Sequence, residues 1–272
     1  MSVLPPRFDL LGVRLTGSTL DEVVDLMVRW AAGHERRTVR VFAVDPLLKA
    51  IDQPELKRLA NERSDLVLTD GMPLVFIGRR VARLPINRCY GPDVMLGVMD
   101  RGRAAGLRHY LYGGADERTL RLLRENLLAR FPGLAIVGGR VPPMRAVGPD
   151  TPLDAEDENA LRDIADSGAD VVWVGIGTPK QDFWIERVRD RLAAPVVVAV
   201  GAAFNFHAGT VRQAPRWMMR CGLEWLFRLC AEPRRLWRRY LIGNPRFLLL
   251  VLRQLLFRRP GGPFGEVVRP PD

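Results

Sequence analysis

Residues 170–201 read DVVWVGIGTPKQDFWIERVRDRLAAPVVVAVG, and this stretch decides the fold class. Asp170–Val174 predicts a strand, Gln181–Leu192 predicts a helix, and the fully apolar Pro195–Val200 predicts a second strand. Strands without polar alternation are typical of a parallel sheet that helices cover on both faces. The stretch therefore indicates an α/β fold.

The same alternation of strand-like and helix-like segments extends over the first two hundred residues. Further strands are predicted at Phe8–Leu15, Thr38–Val44, Leu66–Thr69, Arg108–Tyr112 and Leu134–Val137. Helices are predicted from a capping box at Thr19–Glu22, after the second strand to about Arg63, and at Pro92–Ala105, Asp116–Arg130 and Asp154–Asp166. We predict a Rossmann-like sheet flanked by helices.

The positive charge of the chain is concentrated in one segment. The 272 residues carry a formal net charge of +10. Between Arg212 and Arg259 there are twelve arginines and only two acids, Glu224 and Glu232, so this segment accounts for the whole surplus. We predict an α/β core at 1–212, a basic helical appendage for membrane association at 213–259 and a flexible tail at 260–272.

Three functions fit such a basic segment. Arginines with tryptophans could bind a nucleic acid, the segment could be a merely solvated surface, or it could lie on an anionic membrane. Leu223, Leu226, Phe227 and Cys230 form an apolar stripe at helical spacing. This stripe favours amphipathic helices on a membrane.

The composition predicts a folded cytoplasmic protein. With 47% hydrophobic residues the chain is neither disordered nor collagen-like. Its three cysteines are odd in number and lack a CxxC pattern, which argues against disulfides and a zinc site. Pro5 and Pro6 interrupt the N-terminus where a signal peptide needs an apolar core, and Phe247–Leu252 is far shorter than the ~20 residues that cross a bilayer. Such a protein, without a transmembrane helix, could still lie on a membrane surface.

Five predicted strands end in small or polar residues. These ends are Asp45-Pro46, Asp70-Gly71, Gly113-Gly114, Gly175–Gln181 and Gly201–Asn205. In an open parallel sheet the ligand crevice lies at the carboxyl ends of the strands, and glycines there let a phosphate approach backbone amides. Each end alone is more often only a turn, but five together favour a shared pocket.

Several cofactor and metal motifs are absent from the sequence. The Gly175–Gln181 turn lacks the third glycine of a dinucleotide fingerprint and is interrupted by Pro179. The chain has no Walker A sequence and no Asp-x-Asp pair for a divalent metal. We interpret the acidic run Asp154–Glu158 as a solvated helix start. A phosphate site without metal would need arginine, lysine or amide donors.

Asp70 has two interpretations. Its carboxylate could project into the crevice as a general base, or it could cap a helix that starts at Pro73, and spacing alone favours the cap. Among the histidines, His34 and His109 are interpreted as structural, and His207 is left undecided.

A series of longer motifs runs in order from about residue 8 to residue 258. They are Thr69-Asp-Gly-Met-Pro73, Arg88-Cys-Tyr-Gly-Pro-Asp93, Tyr110-Leu-Tyr-Gly-Gly114, Gly175-Ile-Gly-Thr-Pro-Lys-Gln181, Gly201-Ala-Ala-Phe-Asn-Phe206, Arg212-Gln-Ala-Pro-Arg-Trp217, Gly222-Leu-Glu-Trp225 and Glu232-Pro-Arg-Arg235. Together they resemble the WecG/TagA/CpsF glycosyltransferases, bacterial enzymes of surface-polysaccharide and teichoic-acid assembly. Gly-Thr-Pro-Lys-Gln followed by a later Leu-Glu-Trp makes the resemblance specific.

The resemblance implies an inverting transfer of an N-acetylmannosamine-type or related sugar from a UDP-sugar to a sugar on polyprenyl diphosphate. It implies no cofactor and no essential metal. It assigns Asp70 as the general base, which reverses the preference for a cap, and places Arg88 and Gln181 beside it as catalytic residues. The expected partners are the donor, the lipid-linked acceptor and an anionic membrane but no nucleic acid, and self-association into a homo-oligomer stays open. Because a polyprenyl acceptor lies in the bilayer, the resemblance implies a cytoplasmic protein that is peripheral on the inner face of the cell membrane.

Further residues are expected around these substrates. Those expected to bind substrate are Asp45, Gly71, Gly113, Gly114, Gly177, Thr178, Lys180, Asn205 and Arg212. Those expected to contact phosphate or membrane are Arg228, Arg235, Arg238 and Arg239. Arg88 and the C-terminal arginines would balance the charge of the departing UDP.

Two positions depart from the usual family pattern. Ala43-Val-Asp45 stands where the family commonly has Thr-x-Asn, and Asn205 stands where it often has Asp. Because a carboxylate replaces an amide near the pocket, we expect a different donor or acceptor preference.

Two other classes of function remain as alternatives. The α/β alternation also fits a nucleotide-binding oxidoreductase, and the basic segment also fits a nucleic-acid-binding protein. The missing dinucleotide fingerprint weakens the first alternative, and the apolar stripes weaken the second.

Overall fold

The structure, a computed structural model, describes residues 3–257 and 267–268. The strands are β1 (Arg7–Leu10), β2 (Val13–Thr16), β3 (Arg37–Phe42), β4 (Leu66–Thr69), β5 (Arg108–Gly113), β6 (Ala135–Arg140), β7 (Val171–Gly175), β8 (Val196–Ala199) and β9 (Val267–Val268). The helices before residue 212 are α1 (Leu20–Ala32), α2 (Val44–Asp52), α3 (Pro54–Glu62), α4 (Met72–Ile77), α5 (Gly91–Gly102), α6 (Glu117–Arg130), α7 (Ala155–Ser167), α8 (Lys180–Val188) and α9 (Ala203–His207). After it come α10 (Arg216–Arg220), α11 (Glu224–Ala231), α12 (Pro233–Trp237) and α13 (Gly243–Leu256).

Strands β3 to β8 form one parallel sheet in the order β4-β3-β8-β7-β5-β6. In β7, Val172 and Val174 belong to one hydrophobic cluster, whereas Val171 and Trp173 belong to the other. Residues of α2, α3, α7 and α8 join the first cluster, and residues of α1, α5 and α6 join the second. Both faces of the sheet are buried, which explains why its strands lack polar alternation. The predicted α/β fold with a Rossmann-like sheet is confirmed.

The chain begins with a hairpin, so the prediction of one strand at Phe8–Leu15 is wrong. Strands β1 and β2 pair antiparallel with Leu10 opposite Val13. Leu11 and Gly12 connect them with φ angles of 56° and 79°, and positive φ at both positions defines a type I′ turn. The Asp9 carboxylate accepts a hydrogen bond of 3.0 Å from the Gly12 amide. Leucine is not a typical residue for the first position of this turn, so the sequence gives no signal of the turn.

Helix α7 starts as predicted, but its acidic first turn is not wholly solvated. Asp154 and Asp157 form a capping box. The Asp157 side chain is completely buried, accepts a hydrogen bond of 2.8 Å from the indole nitrogen of Trp184, and pairs with Arg145. The arginine and the indole replace water around this carboxylate, and they tie the loop after β6 to α8.

A buried ion pair fixes α8 against the centre of the sheet. Arg40 of β3 and Asp182 of α8 are both fully buried, with 3.1 Å between Arg40 Nε and Asp182 Oδ1. Arg40 also donates a hydrogen bond of 2.6 Å to the hydroxyl of Ser64. Removing one partner of such a pair leaves the other charge buried without a counter-charge, which destabilises the fold. The pair therefore fixes the start of α8, where Gln181 lies.

The C-terminal helices pack on the sheet domain. Phe247 and Val251 of α13 are buried in the same cluster as β7 and β8. Arg246 pairs with Asp52 of α2 at 2.7 Å, and the side-chain oxygen of Gln254 accepts a hydrogen bond from the Leu11 amide. The helical nature of this segment agrees with the sequence, while the division of the chain at residue 212 stays a prediction.

The end of the chain is described only at two positions. Val267–Val268 forms β9, which pairs antiparallel with β1. The other residues of the predicted flexible tail, 260–266 and 269–272, lie outside the described residues. Within 3–257 and 267–268, no helix has the length and apolar character needed to cross a bilayer.

Replacing Phe247 by alanine should destabilise the protein. The ring is 2% exposed, whereas Leu249 on the same helix is 65% exposed. We expect Phe247→Ala to lower the free energy of unfolding by about 3–5 kcal/mol, because it leaves a cavity under α13. Leu249→Ala should change it by less than about 0.5 kcal/mol. Denaturant unfolding of both variants measures this, and equal effects would contradict the docking of α13.

Candidate active site

A cavity of about 820 Å³ lies at the carboxyl ends of the parallel strands. All five strand ends singled out in the sequence contribute to its lining, together with the loop Pro142–Arg145 after β6. Residues of α11 and α13 line it as well. The cavity is therefore built jointly by the sheet and by the C-terminal helices.

Asp70 lies in this cavity, directly after β4. Its amide donates a hydrogen bond of 2.9 Å to the Phe42 carbonyl of β3, which fixes the backbone at the edge of the sheet. The residue before α4 is Gly71, and no side chain caps that helix, so the cap interpretation of Asp70 has no support. Burial raises the pKa of Asp70 to about 6, the carboxylate of Glu224 adds to the rise, and Arg88 opposes it.

Arg88 bridges Asp70 to the C-terminal segment. Its Nη2 lies 3.0 Å from Asp70 Oδ1 and 2.5 Å from Glu224 Oε2. Its Nε donates to the carbonyl oxygen of Asp70, and its guanidinium lies 4.1 Å from the ring centre of Tyr90, a cation–π contact. The arginine is thus held from several sides between two carboxylates.

Glu224 is a site residue that the sequence analysis did not select. It is the first residue of α11, and its Oε1 accepts a hydrogen bond of 3.3 Å from the Tyr90 hydroxyl. Two signals could have identified it: it is one of only two acids in the arginine-rich segment, and it belongs to the Leu-Glu-Trp motif. An acid inside a basic segment suggests a specific partner.

Gln181 connects two strand-end loops. Its side-chain oxygen accepts hydrogen bonds from the amides of Gly177, at 3.2 Å, and Gly201, at 3.1 Å. Its side-chain nitrogen donates to the Thr178 hydroxyl at 3.1 Å. Gln181 lines the cavity and is 2% exposed. These contacts give it a role in loop geometry, and direct contact with substrate stays a prediction.

The predicted glycines divide into two groups. Gly71, Gly114 and Gly177 line the cavity. Gly113 is not among the lining residues. It pairs with Gly175 in the sheet, where an added Cβ would lie 2.6 Å from the Gly175 carbonyl carbon. Its φ of 134° also requires glycine. Gly113 thus allows close approach of two strands.

Several cationic side chains face the cavity. The lining includes Lys49, Arg145, Lys180, Arg228, Arg235 and Arg239. Arg212 and Arg238, which the sequence analysis grouped with them, are exposed outside this lining. Arg145 and Lys49 were not selected from the sequence, since neither lies in a motif used there.

Asp45 connects α2 to the C-terminal segment. Its Oδ2 lies 3.1 Å from Lys49 Nζ and 3.5 Å from Arg239 Nε. Lys49 also donates a hydrogen bond of 3.0 Å to the Thr178 carbonyl. The carboxylate that departs from the family pattern is therefore paired with two cations at the cavity wall.

Arg228 has a cation–π contact and a buried nitrogen without a partner among the residues that the structure describes. Its guanidinium lies 5.3 Å from the ring centre of Phe206, and its buried Nε has no hydrogen-bond partner in the described part of the chain. Asn205, which also lines the cavity, has a buried Oδ1 that likewise lacks such a partner within residues 3–257 and 267–268. Buried polar atoms without partners cost free energy, so both can gain from a ligand.

The histidines have structural contacts. His207 Nε2 lies 3.0 Å from the Pro92 carbonyl oxygen and donates to it, which links α9 to α5, and burial lowers the pKa of its ring. His109 accepts a hydrogen bond of 3.2 Å from the indole nitrogen of Trp173 inside the sheet. Across the residues that the structure describes, no group of three or more His, Cys, Asp or Glu side chains is arranged to hold a metal ion.

Comparison with known proteins agrees with the motifs in the cavity. A transferase from Bacillus spizizenii strain W23, N-acetylglucosaminyldiphosphoundecaprenol N-acetyl-β-D-mannosaminyltransferase, is 28% identical over 208 residues, 75% of this chain and 74% of the relative. The enzyme of the same name from Bacillus subtilis strain 168 is 29% identical over 197 residues, 70% of each chain. The model of the glycosyl transferase WecG/TagA/CpsF family matches residues 8–261. The chain therefore belongs to the WecG/TagA/CpsF family of glycosyltransferases.

Proposed function

We propose that this protein is an inverting glycosyltransferase that moves a hexose of the N-acetylmannosamine type from a UDP-sugar to a sugar on polyprenyl diphosphate. The names of both Bacillus relatives support this acceptor class and sugar type. The observation that carries the proposal is Asp70, a carboxylate with a raised pKa in a cavity of about 820 Å³. An inverting transfer is a single displacement, so it needs one base for the acceptor hydroxyl and one leaving group on the donor sugar.

Asp70 acts as the general base in this scheme. The acceptor hydroxyl attacks the anomeric carbon of the donor sugar, the bond from that carbon to the UDP oxygen breaks, and the hydroxyl proton goes to the Asp70 carboxylate. Both hydrogen bonds from Arg88 to this side chain end on Oδ1, which leaves Oδ2 for the acceptor. A pKa of about 6 suits a base that works near neutral pH.

Arginine and lysine side chains balance the charge on the departing UDP. Arg88 already lies between two carboxylates, so we assign this role chiefly to Arg228, Arg239 and Lys49 of the cavity wall. Preorganised cations stabilise developing negative charge without reorganisation at the moment of reaction. We propose that the reaction needs no cofactor and no bound metal.

The C-terminal helices bring the cavity to the membrane. Helix α13 carries five leucines that are 46–70% exposed, Leu248, Leu249, Leu252, Leu255 and Leu256, and Leu248 also lines the cavity. Exposed apolar residues beside arginines are typical of helices that lie in an anionic membrane surface. A polyprenyl acceptor resides in the bilayer, so we propose a peripheral position on the inner face of the cell membrane. Leucine side chains form no hydrogen bonds or ion pairs with a nucleic-acid backbone, which disfavours nucleic-acid binding by this surface.

Replacing Asp70 by asparagine should remove the base. We expect turnover to fall by about 10²–10⁴-fold, while binding of UDP and the melting temperature stay near those of the unaltered protein. The matched control is Asp166→Asn, which changes an exposed carboxylate of α7 outside the cavity lining. A UDP-release assay with a panel of UDP-sugars and a lipid-linked acceptor measures this, and near-normal turnover of Asp70→Asn would exclude the role.

Activity should depend on pH in the direction set by Asp70. The base must be ionised, so kcat/KM should fall as the pH drops below about 6, the pKa of this carboxyl group. A rate that holds constant well below this pH would contradict the assignment of Asp70.

Replacing Arg228 by glutamine should weaken stabilisation of the leaving group. We expect kcat/KM to fall by about 10²-fold, whereas Arg234→Gln, an exposed change on α12 outside the cavity lining, should have little effect.

Removing divalent metal ions with EDTA should leave the rate of the unaltered protein the same. Loss of activity in EDTA that magnesium restores would overturn the metal-independent mechanism.

Charges placed on α13 should abolish membrane binding. In Leu249→Glu/Leu256→Glu, two exposed leucines become acidic, and we expect loss of sedimentation with vesicles of phosphatidylglycerol and phosphatidylethanolamine. The control Val3→Glu/Leu128→Glu makes the same change at exposed positions away from the helix and should sediment normally. Equal sedimentation of the two double variants would contradict the membrane role of α13.

A further inference from the structure

Glu224 makes specific contacts to the segment that contains Arg88. Its side chain is 16% exposed, and both of its oxygens are engaged: Oε2 with Arg88 Nη2 at 2.5 Å and Oε1 with the Tyr90 hydroxyl at 3.3 Å. Arg88 and Tyr90 precede α5, and Glu224 lies 136 residues after Arg88. The contact therefore connects two distant parts of the chain at the cavity.

Glu224 and Asp70 share the same guanidinium nitrogen. Nη2 of Arg88 lies 2.5 Å from Glu224 and 3.0 Å from Asp70, and Nε lies 3.3 Å from Asp70 Oδ1. A guanidinium presents its N–H donors in a fixed fork, so the N–H directed at Glu224 cannot also serve Asp70. Nη2 makes its shorter contact to Glu224, while the hydrogen bonds of Nε and Nη2 to the Asp70 side chain both end on Oδ1 and leave Oδ2 to the acceptor.

We propose that Glu224 is a positioning residue that holds Arg88 between two carboxylates, so that Asp70 keeps the character of a base instead of closing into a bidentate ion pair. This role of Glu224 rests on the proposed function, in which Asp70 takes the proton from the acceptor hydroxyl. Glu224 belongs to α11, so docking of the C-terminal helices completes the surroundings of the base.

The charges around Asp70 support this role. Three charged groups act on its carboxyl group: Arg88, which lowers its pKa, and Glu224 and Asp93, which raise it in addition to burial. Removing the charge of Glu224 takes away one carboxylate and leaves Arg88 to Asp70 alone. Both changes lower the pKa of Asp70, and a base with a lower pKa accepts a proton less readily.

Two titratable neighbours, Cys89 and Tyr90, do not compete with Asp70 near neutral pH. Burial raises the pKa of the Cys89 thiol to about 12. Burial and the carboxylate of Glu224 raise the pKa of the Tyr90 phenol. Burial raises the pKa of Asp93, whereas Arg88 and Arg216 oppose the rise. Asp93 is thus a second carboxyl group with a raised pKa, so a shift in the acidic limb of a pH profile is assigned to Asp70 by direct titration of its own carboxyl group.

The test compares Glu224→Gln with Glu232→Gln. Glu232 is the other acid of the basic segment and pairs with Arg235, so its loss makes the same change in net charge. In Glu224→Gln we expect the acidic limb of kcat/KM to move to lower pH and the plateau of kcat to fall by roughly tenfold. In Glu232→Gln the acidic limb should stay in place. A purely structural role for Glu224 would lower the melting temperature without moving this limb.

Two further measurements keep the test independent of folding and of activity. Tyr90→Phe removes one hydrogen bond to Glu224 but keeps the ring under Arg88, and it should move the limb in the same direction by less. Carbon-13 NMR of the Asp70 carboxyl group, assigned by its absence in Asp70→Asn, should give a lower titration midpoint in Glu224→Gln. An unchanged midpoint in folded Glu224→Gln overturns the proposal, whereas failure of the unaltered protein to release UDP from any donor overturns the proposed function alone.

Discussion

The parallel direction of β3 to β8 is the constraint on which the site depends. Parallel strands place all their carboxyl ends at one edge, and each following loop then faces the same space. The strands can be parallel because helices bury both faces, with Val172 and Val174 on one side and Val171 and Trp173 on the other. Side chains far apart in the sequence therefore converge on one cavity.

The second organising feature is pairing between the arginine-rich segment and acids of the sheet domain. The segment carries the whole formal surplus of +10, yet several of its charges are not free. Arg246 pairs with Asp52, and Arg239 lies 3.5 Å from Asp45. In a third pair the acid belongs to the arginine-rich segment: Glu224 accepts a hydrogen bond from Arg88. The exposed pairs contribute little stability individually, whereas the burial of Phe247 contributes more. Together they place α11 and α13 at the cavity.

Much of the fold could be predicted because its signals are local. Strand β4 has the predicted bounds, and the capping box of Thr19 and Glu22 forms as expected. The hairpin at Leu11 was missed because leucine in a left-handed turn has no sequence signature. The burial of Asp157 was missed because its partners, Arg145 and Trp184, come from separate loops and helices. In the candidate site, the strand-end residues were predictable, but Arg145 and Lys49 were not.

The sequence by itself determined the α/β architecture, the strand-end crevice and a basic helical segment, since each follows from composition or periodicity along a short stretch. Only the tertiary structure decided which charges meet. The sequence offers Arg88 many possible carboxylates, and the packing of α11 selects Glu224, while the edge of the sheet selects Asp70. Likewise, only the tertiary structure shows that Gly113 allows two strands to pack closely and does not line the cavity. The reason is that electrostatic and packing contacts depend on distances across the fold, which no local pattern specifies.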